Sequence, residues 1–160
     1  MALITTKTLV GWEEWFKLPD LDLPAIKAKI DSGAKTSSIH ANRIKVFEED
    51  GKRMVSFWIY PIQKTTQYRI KCTAPLVDQR LVSDSGGHRE KRYVIKTTLG
   101  FNDGKEKEIE ITLADRKTMA FRMLLGREAM KKCSMIVDPS SSCCVGKMKN
   151  KDAKLLYSDK

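Results

Sequence analysis

The sequence predicts a mostly β domain, a small closed barrel of largely antiparallel strands with one short helix near its C-terminal end. Three observations lead to this fold class. Apolar residues alternate with polar ones over short runs, Asp-Gly turn signals separate the runs, and only one segment consists of good helix formers. With 160 residues, the chain can bury a sizeable core without metals or disulfides.

The first half of the chain is predicted to form four strands. A Pro-rich stretch at 18–24 reads as an irregular connection, and Asp50-Gly51 is a typical hairpin turn pair. The apolar positions after residue 37 change phase, which indicates a bulge or bend in that strand. The predicted strands cover residues 8–16, 25–30, 37–46 and 54–60.

The second half continues this pattern and adds the helix. Two alternating runs at 93–99 and 109–113 are joined by an Asn-Asp-Gly-Lys turn, which makes them the clearest hairpin of the sequence. Residues 127–132 are good helix formers over barely two turns. Weaker strands are predicted at 68–72, 76–83 and 133–137.

No internal repeat or long linker divides the chain. We expect one domain over 1–160, with a core at about 8–142 and a basic C-terminal tail at 143–160, whose Leu155-Leu156-Tyr157 cluster could pack back onto the body. No apolar run reaches the length of about 18 residues that a membrane span requires, and the N-terminus does not resemble a signal peptide. The four cysteines are too few and too irregularly spaced for a disulfide framework. We therefore expect a cytoplasmic protein with reduced thiols and no membrane contact.

The net charge of +10 arises from 30 Lys and Arg against 20 Asp and Glu. A field of this sign favours acidic partners such as polyglutamate tails, phosphopeptides or RNA, although a basic surface without a partner would give the same balance. The lysines of the tail are interpreted as a solvated surface, so nucleic acid is not an expected partner. These lysines are Lys147, Lys149, Lys151 and Lys154.

One stretch is a candidate for chemistry. An apolar strand leads into Asp31-Ser32-Gly33-Ala34-Lys35-Thr36, which presents an acidic group at a fixed point on a tight turn. Far downstream lies Leu124-Leu125-Gly126-Arg127. Asp-Ser/Thr-Gly-Ala followed much later by two apolar residues and glycine is typical of retropepsin-like aspartic peptidases. Taken alone, Asp31 could also be an ordinary turn aspartate.

Longer motifs make this resemblance specific. Together they resemble a bacterial family of retropepsin-like proteins long labelled ATP-dependent zinc proteases, over roughly residues 8–142. Its members often accompany an ATP-grasp ligase that adds glutamates to a ribosomal protein. The motifs are Gly11-Trp12-x-Glu14-Trp15, Leu18-Pro19-Asp20-Leu21, the stretch 27–41, Arg92-Tyr93-Val94-Ile95-Lys96-Thr97-Thr98 and the stretch 119–127.

The resemblance implies an acid-protease barrel and assigns roles to residues. Asp31 would be catalytic and Ser32, Gly33, Ala34, Lys35 and Thr36 would form its loop. Leu124, Leu125 and Gly126 would lie in a strand beside this loop, and Arg127 would open the helix behind it. A second Asp-Ser-Gly at 84–86 follows no long apolar strand, so we interpret its surroundings as a mobile flap formed by Gly86, Gly87, His88 and Arg89.

The family label mentions zinc and ATP, but the sequence contains no motif that would bind either of them. A catalytic zinc site needs three protein ligands, commonly from His-Glu-x-x-His, whereas the chain has only His40 and His88. The sequence also has no Gly-x-x-x-x-Gly-Lys-Ser/Thr loop for phosphates. We expect no metal and no cofactor. A zinc ion bound by Asp31, His40 or a cysteine is kept as an alternative to the two interpretations given below.

A single chain supplies one such aspartate, which predicts a homodimer. Two close carboxylates cannot both ionise, so one activates water while the other protonates the carbonyl oxygen of the scissile amide. We therefore expect the Asp31 residues of two protomers to meet at a two-fold axis.

The expected function is an aspartic endopeptidase for peptide or protein substrates, acidic or glutamate-extended ones among them. Lys35 would either bind an acidic substrate side chain or form a salt bridge. The rival interpretation is a catalytically inactive dimeric module that binds acidic peptides, an ATP-grasp glutamate ligase or ribosomal components.

Overall fold

The computed structural model describes residues 6–83, 86–115 and 120–158. In these ranges the chain forms short N-terminal strands, a series of long hairpins and two helices near the C-terminus. The strands are β1 (Thr8–Val10), β2 (Glu13–Leu18), β3 (Leu23–Ile30), β4 (Ser37–Glu49), β5 (Lys52–Ile59), β6 (Ile70–Ser83), β7 (Arg89–Gly100), β8 (Glu106–Ala114), β9 (Met123–Leu125) and β10 (Met135–Val137). The helices are α1 (Arg127–Lys132) and α2 (Asn150–Tyr157), with a 3-10 turn at Pro19–Leu21.

Eight strands form one sheet in the order β2-β3-β9-β4-β5-β6-β7-β8. Most neighbours are antiparallel, but β9 runs parallel to β3, and β8 runs parallel to the start of β4. Two further pairings, β2 with β7 and β4 with β8, join strands that are distant in this order. Strands β1 and β10 form a separate two-stranded parallel sheet. The predicted mostly β fold class is therefore confirmed.

Period-two burial explains how the strands build the core. Along β5, Val55, Phe57 and Ile59 are fully buried, while the residues between them are partly exposed. Ala28 and Met123, paired across β3 and β9, are also fully buried. The two parallel strands that approach the candidate site are thus held in the apolar interior, which fixes their ends.

Several sequence predictions are confirmed in detail. Residues Asp50 and Gly51 both adopt positive φ, 51° and 78°, as the tight turn between β4 and β5 requires. The pairing of these strands shifts register between Asn42 and Lys45, which is the predicted bulge. Strands β7 and β8 form the predicted hairpin, and α1 is the predicted helix.

Two strand predictions were wrong in their boundaries. The segments 68–72 and 76–83 form a single strand, β6, with a register shift against β7 between Leu76 and Asp78. The predicted strand 8–16 is divided into β1 and β2 at Gly11, where an added Cβ would lie 2.1 Å from the Ser141 carbonyl oxygen. The break at Gly11 arises from the contact with Ser141, whereas β6 is continuous because its first half pairs with β5 and its second half with β7.

The segment that we described as a basic tail packs onto the body through α2, a helix that the sequence analysis did not predict. Ala153 and Tyr157 are buried, and the Tyr157 hydroxyl donates a hydrogen bond to the Ala25 carbonyl of β3. Leu155 and Leu156 remain exposed. Within the described parts of the chain, no helix is long and apolar enough to cross a membrane.

Candidate active site

Asp31 lies where two central parallel strands end. Its backbone N–H donates to the Leu125 carbonyl of β9 at 3.0 Å, and the preceding Ile30 N–H donates to the Trp12 carbonyl at 2.9 Å. Hydrogen bonds to two different parts of the chain therefore fix the backbone on which the carboxylate is mounted.

The turn after Asp31 holds one oxygen of its side chain. The Gly33 N–H donates to Asp31 Oδ1 at 2.9 Å, and the Ala34 N–H donates to the Asp31 carbonyl at 3.2 Å. Asp31 is half-buried, while Ser32 and Gly33 are exposed. Within the described residues, Asp31 forms no ion pair, and its Oδ2 accepts no hydrogen bond. The carboxylate thus has a fixed direction and one oxygen available to a reactant.

The start of α1 supports the loop from behind. Arg127 donates from Nη1 to the Ser32 carbonyl at 2.9 Å and from its backbone N–H to the Ala34 carbonyl at 2.7 Å. At Gly126 an added Cβ would lie 2.6 Å from the Thr36 carbonyl carbon, so only glycine fits between strand and loop. The structure therefore brings together the two motifs from opposite ends of the sequence, 31–36 and 124–127.

Two residues that fix this region belong to the family motifs but were given no role in the sequence analysis. The Gly126 N–H donates to the hydroxyl of Ser37, which is 1% exposed. Glu14 is fully buried and accepts hydrogen bonds from three backbone N–H groups. The available signal for Glu14 was a charged residue directly before the apolar pair Trp15-Phe16 in a predicted strand.

The predicted flap lies at the tip of the β6–β7 hairpin. Gly86, Gly87 and His88 form this tip, Arg89 opens β7, and all four are exposed. Gly87 has a φ of 83°, in the left-handed region that glycine favours. The first two residues of the second Asp-Ser-Gly, at 84 and 85, lie outside the described residues.

A cavity of about 1040 Å³ adjoins the loop on the side of this hairpin. Lys35 and Thr36 form one wall, and the shaft of the β6–β7 hairpin, β8 and α1 form the others. Residues of both charges line the cavity, among them Arg80 and Glu110. Arg80 donates to Glu110 and to the neighbouring Asp78, each at 2.9 Å. Asp31 does not line the cavity, whereas Lys35 and Thr36 of its loop do.

The residues considered for zinc do not converge. His40 is buried in β4, where its Nδ1 lies 3.6 Å from an Asp115 carboxylate oxygen. Burial raises the pKa of the Cys72 thiol to about 12, which keeps it protonated and a poor metal ligand. Among the residues in 6–83, 86–115 and 120–158, no three His, Cys, Asp or Glu side chains gather as a metal site would need.

The chain matches the model of one protein family over most of its length. The model of the RimB-like family, described as "Retropepsin-like aspartic endopeptidase RimB", matches residues 9–147. The chain belongs to the RimB-like family. The resemblance read from the motifs is thereby confirmed.

Curated relatives carry a different name. The chain is 44% identical over 157 residues to a "Probable alpha-L-glutamate ligase" of Desulfotalea psychrophila, covering 98% of this chain and 33% of that protein. It is 45% identical over 151 residues to a protein of the same name from Shewanella pealeana, covering 94% and 32%. The chain thus spans about a third of the length of these relatives.

A solved structure has the same fold. The chain is similar to the crystal structure of Lpg0085, a Legionella pneumophila protein described as of unknown function (DUF785). The TM-score is 0.71 and the identity 26%, and the match covers 88% of this chain and 99% of that chain.

Proposed function

We propose that the protein is an aspartic endopeptidase that acts as a homodimer on a closed, retropepsin-like barrel. The observation that carries the proposal is the Asp31 carboxylate at the ends of β3 and β9, half-buried and free of any ion pair among the described residues. The Gly33 N–H orients one oxygen and leaves the other for a proton or a water. A private salt bridge at Asp31 would have argued against catalysis.

Two Asp31 carboxylates from two protomers would share one proton. The ionised partner removes a proton from water as the water attacks the scissile carbonyl, and the protonated partner donates its proton to the carbonyl oxygen. The tetrahedral intermediate then loses the amine: the protonated carboxyl donates its proton to the leaving nitrogen, and the ionised carboxylate takes a proton from a hydroxyl of the intermediate. A carboxylic acid and an amine form, and the pair again holds one shared proton. Because one chain contributes one such carboxylate, catalysis requires the dimer.

Exposed apolar side chains support a dimer. Leu9 and Ile136 are paired in the β1–β10 sheet, and each is 52% exposed. Trp12, which packs edge-on against Phe121, is 43% exposed. A small parallel sheet with apolar side chains in solvent is a suitable surface for a second copy of the chain.

The strand pairings and the hairpin support the barrel and the flap. The pairings of β2 with β7 and of β4 with β8 are those that would bring a curved sheet back on itself. The β6–β7 hairpin carries Leu81, which is 69% exposed and lines the cavity beside the loop. An exposed leucine on a hairpin next to a cleft suits a flap that closes over a peptide.

We further propose acidic or glutamate-extended peptides as substrates and an ATP-grasp glutamate ligase as a partner. The net charge of +10 and the exposed Lys35 at the cavity favour acidic ligands. The ligase name of the curated relatives supports the link to glutamate chemistry. All four cysteines are free thiols, which supports action in a reducing compartment such as the cytoplasm.

The test replaces Asp31 with Asn and uses Asp50→Asn as the matched control. Asp50 is an exposed turn aspartate, and Asn accepts its left-handed conformation equally well. Cleavage of glutamate-rich peptides should fall by about a thousandfold or more in Asp31→Asn and remain unchanged in the control.

The relatives' ligase name favours one rival, an inactive dimeric module that binds an acidic peptide or a glutamate ligase. That module would cleave nothing from about pH 3 to pH 7, and its binding would survive Asp31→Asn. This outcome would overturn the peptidase proposal.

A further inference from the structure

Glu14 is a buried carboxylate that the proposed chemistry does not use. Its side chain is fully buried in β2, and its two oxygens accept three backbone hydrogen bonds. Oε2 accepts from Gly11 at 2.6 Å and from Cys144 at 2.7 Å, and Oε1 accepts from Val145 at 2.9 Å. Such a group is costly to bury, so its partners indicate what it holds in place.

Two of its partners belong to the segment 138–146, which we call the C-terminal strap. The strap runs beside Gly11 and Trp12, the β1–β2 connection. The backbone N–H of Asp138 donates to the Val10 carbonyl at 2.8 Å, and the backbone N–H of Cys143 donates to the Glu13 carbonyl at 2.9 Å. Trp12 in turn donates its N–H to the Ser141 carbonyl at 2.8 Å. Gly11 has no room for a Cβ against this carbonyl, which shows how closely the strap and the connection pack.

The β1–β2 connection links the strap to the catalytic loop. The Trp12 carbonyl accepts the N–H of Ile30, the residue directly before Asp31. At the other end of β3, the Tyr157 hydroxyl of α2 accepts the Ala25 N–H at 3.2 Å and donates to the Ala25 carbonyl. The C-terminal part of the chain therefore contacts the start of β3 directly through Tyr157, and reaches its end at Ile30 indirectly, through Trp12. Glu14 anchors this indirect contact nearer Asp31.

We propose that Glu14 is a positioning residue, which through the strap and Trp12 sets the place of the Asp31 carboxylate. The inference rests on the proposed peptidase function. In a pair of carboxylates that share a proton, the distance between them determines both apparent pKa values of the pair, and a displacement of about 1 Å can cost a hundredfold in rate. Glu14 itself touches no reactant.

Glu14→Gln is the direct test, and Glu13→Gln is its matched control on the adjacent residue. The amide keeps the size of the side chain but directs an NH₂ group at backbone donors, so the strap loosens. Glu13 is partly buried and paired with Lys27 at 3.0 Å, and among the described residues its side chain accepts no hydrogen bond from the strap. In Glu14→Gln, kcat should fall by about tenfold to a hundredfold with KM little changed, and the pH profile of kcat should shift. The control should match the wild type.

A merely structural role gives a different result. If Glu14→Gln only reduces the folded fraction, kcat falls by the same factor at every pH and the shape of the pH profile is retained. That result would overturn the inference. If Glu14→Gln does not fold, Gly146→Ala replaces it. A Cβ at Gly146 would lie 1.6 Å from Asn102 Nδ2 and push away the side chain that donates to the Val145 carbonyl of the strap.

Amide hydrogen exchange, followed by NMR, tests the coupling without any peptidase assay. The Ile30 and Asp31 amides should exchange about tenfold faster or more in Glu14→Gln than in Glu13→Gln, together with those of Cys144 and Val145. Faster exchange confined to the strap would contradict the inference. A wild type that cleaves no peptide while this coupling is observed would contradict the peptidase function and leave the positioning of Asp31 supported.

Discussion

Two turns of the chain show the same local chemistry in opposite surroundings. Asp31 with Gly33 ends β3, and Asp50 with Gly51 joins β4 to β5. Around Gly51 no other atom lies within 4 Å of where a Cβ would stand, and Asp50 is exposed with a φ of 51°. The Asp31 turn, by contrast, is held by β9, by α1 and by the β1–β2 connection.

The difference shows what separates the proposed catalytic aspartate from an ordinary turn aspartate. The residues of both segments, Asp31–Gly33 and Asp50–Gly51, favour a tight turn, because Asp and Gly adopt turn conformations readily. Only the Asp31 turn is fixed by hydrogen bonds from residues about 90 positions away, such as Arg127 to Ser32. Preorganisation by distant contacts, rather than turn propensity, is the property that a catalytic group needs.

The largest effect on stability should come from Gly126, which lies behind the Asp31 turn, and a smaller one from Gly51 in the Asp50 turn. Gly126→Ala drives a Cβ into the backbone of Thr36 and should lower the free energy of unfolding by about 3 kcal/mol. Gly51→Ala meets only open space, and its positive φ should cost about 1 kcal/mol. Urea denaturation of both variants measures the two values. Equal losses would contradict the close packing of the loop against α1.

A smaller effect should follow removal of the hydroxyl beside the loop. Ser37→Ala leaves the buried Gly126 N–H without its acceptor and should cost about 1–2 kcal/mol. Ser56→Ala is the control, since Ser56 is half-buried and its hydroxyl makes no hydrogen bond among the described residues. The control should change stability by less than about 0.5 kcal/mol. A loss in the control as large as that in Ser37→Ala would argue against the hydrogen bond as the cause.

The smallest effect should be a change in how the stability of the protein depends on pH, caused by Asp138 in the C-terminal strap. Hydrogen bonds from the Ser140 and Ser141 hydroxyls and from the Ser140 N–H hold the pKa of the Asp138 carboxyl below its ordinary value. A carboxyl whose pKa is lower in the folded than in the unfolded state stabilises the fold while it is ionised. Its full contribution is present above the unfolded-state pKa of about 3.9. The contribution is lost as the pH falls through the folded-state pKa. In Asp138→Asn, the melting temperature should therefore vary less than in the wild type below about pH 4.

Thermal melts of wild type, Asp138→Asn and Asp50→Asn at a series of acidic pH values provide the measurement. Asp50→Asn should follow the wild type. An identical pH dependence in Asp138→Asn would show that the three hydrogen bonds do not form in solution.

The sequence predicted features that neighbouring residues determine. The Asp50-Gly51 turn, the bulge after Asn42 and the β7–β8 hairpin follow from turn chemistry and period-two patterns within a few residues. The pairing of the Asp31 loop with Leu124-Leu125-Gly126 was also foreseen, through the family resemblance. A separation of about 90 residues leaves no local pattern from which it could be worked out.

The features that were missed depend on contacts across the chain. The break at Gly11 exists because Ser141 packs there, and α2 depends on the Tyr157 contact with Ala25, 132 positions away. Glu14 was named only as a member of a family motif, and its burial is explained by its partners at 144 and 145. Helix and strand propensities contain no information on such partners.

The central claim is that one active site needs two Asp31 carboxylates, and mixing protomers tests it most directly. Wild-type protein is equilibrated with nine equivalents of Asp31→Asn, and the peptidase activity is compared with that after dilution by nine equivalents of Asp50→Asn. Random exchange leaves about one dimer in a hundred with two Asp31 carboxylates, so activity in the first mixture should fall to about 1% of that in the second. Activity of about 10% in the first mixture, in proportion to the wild-type protein added, would mean that each Asp31 acts alone and would contradict the shared site.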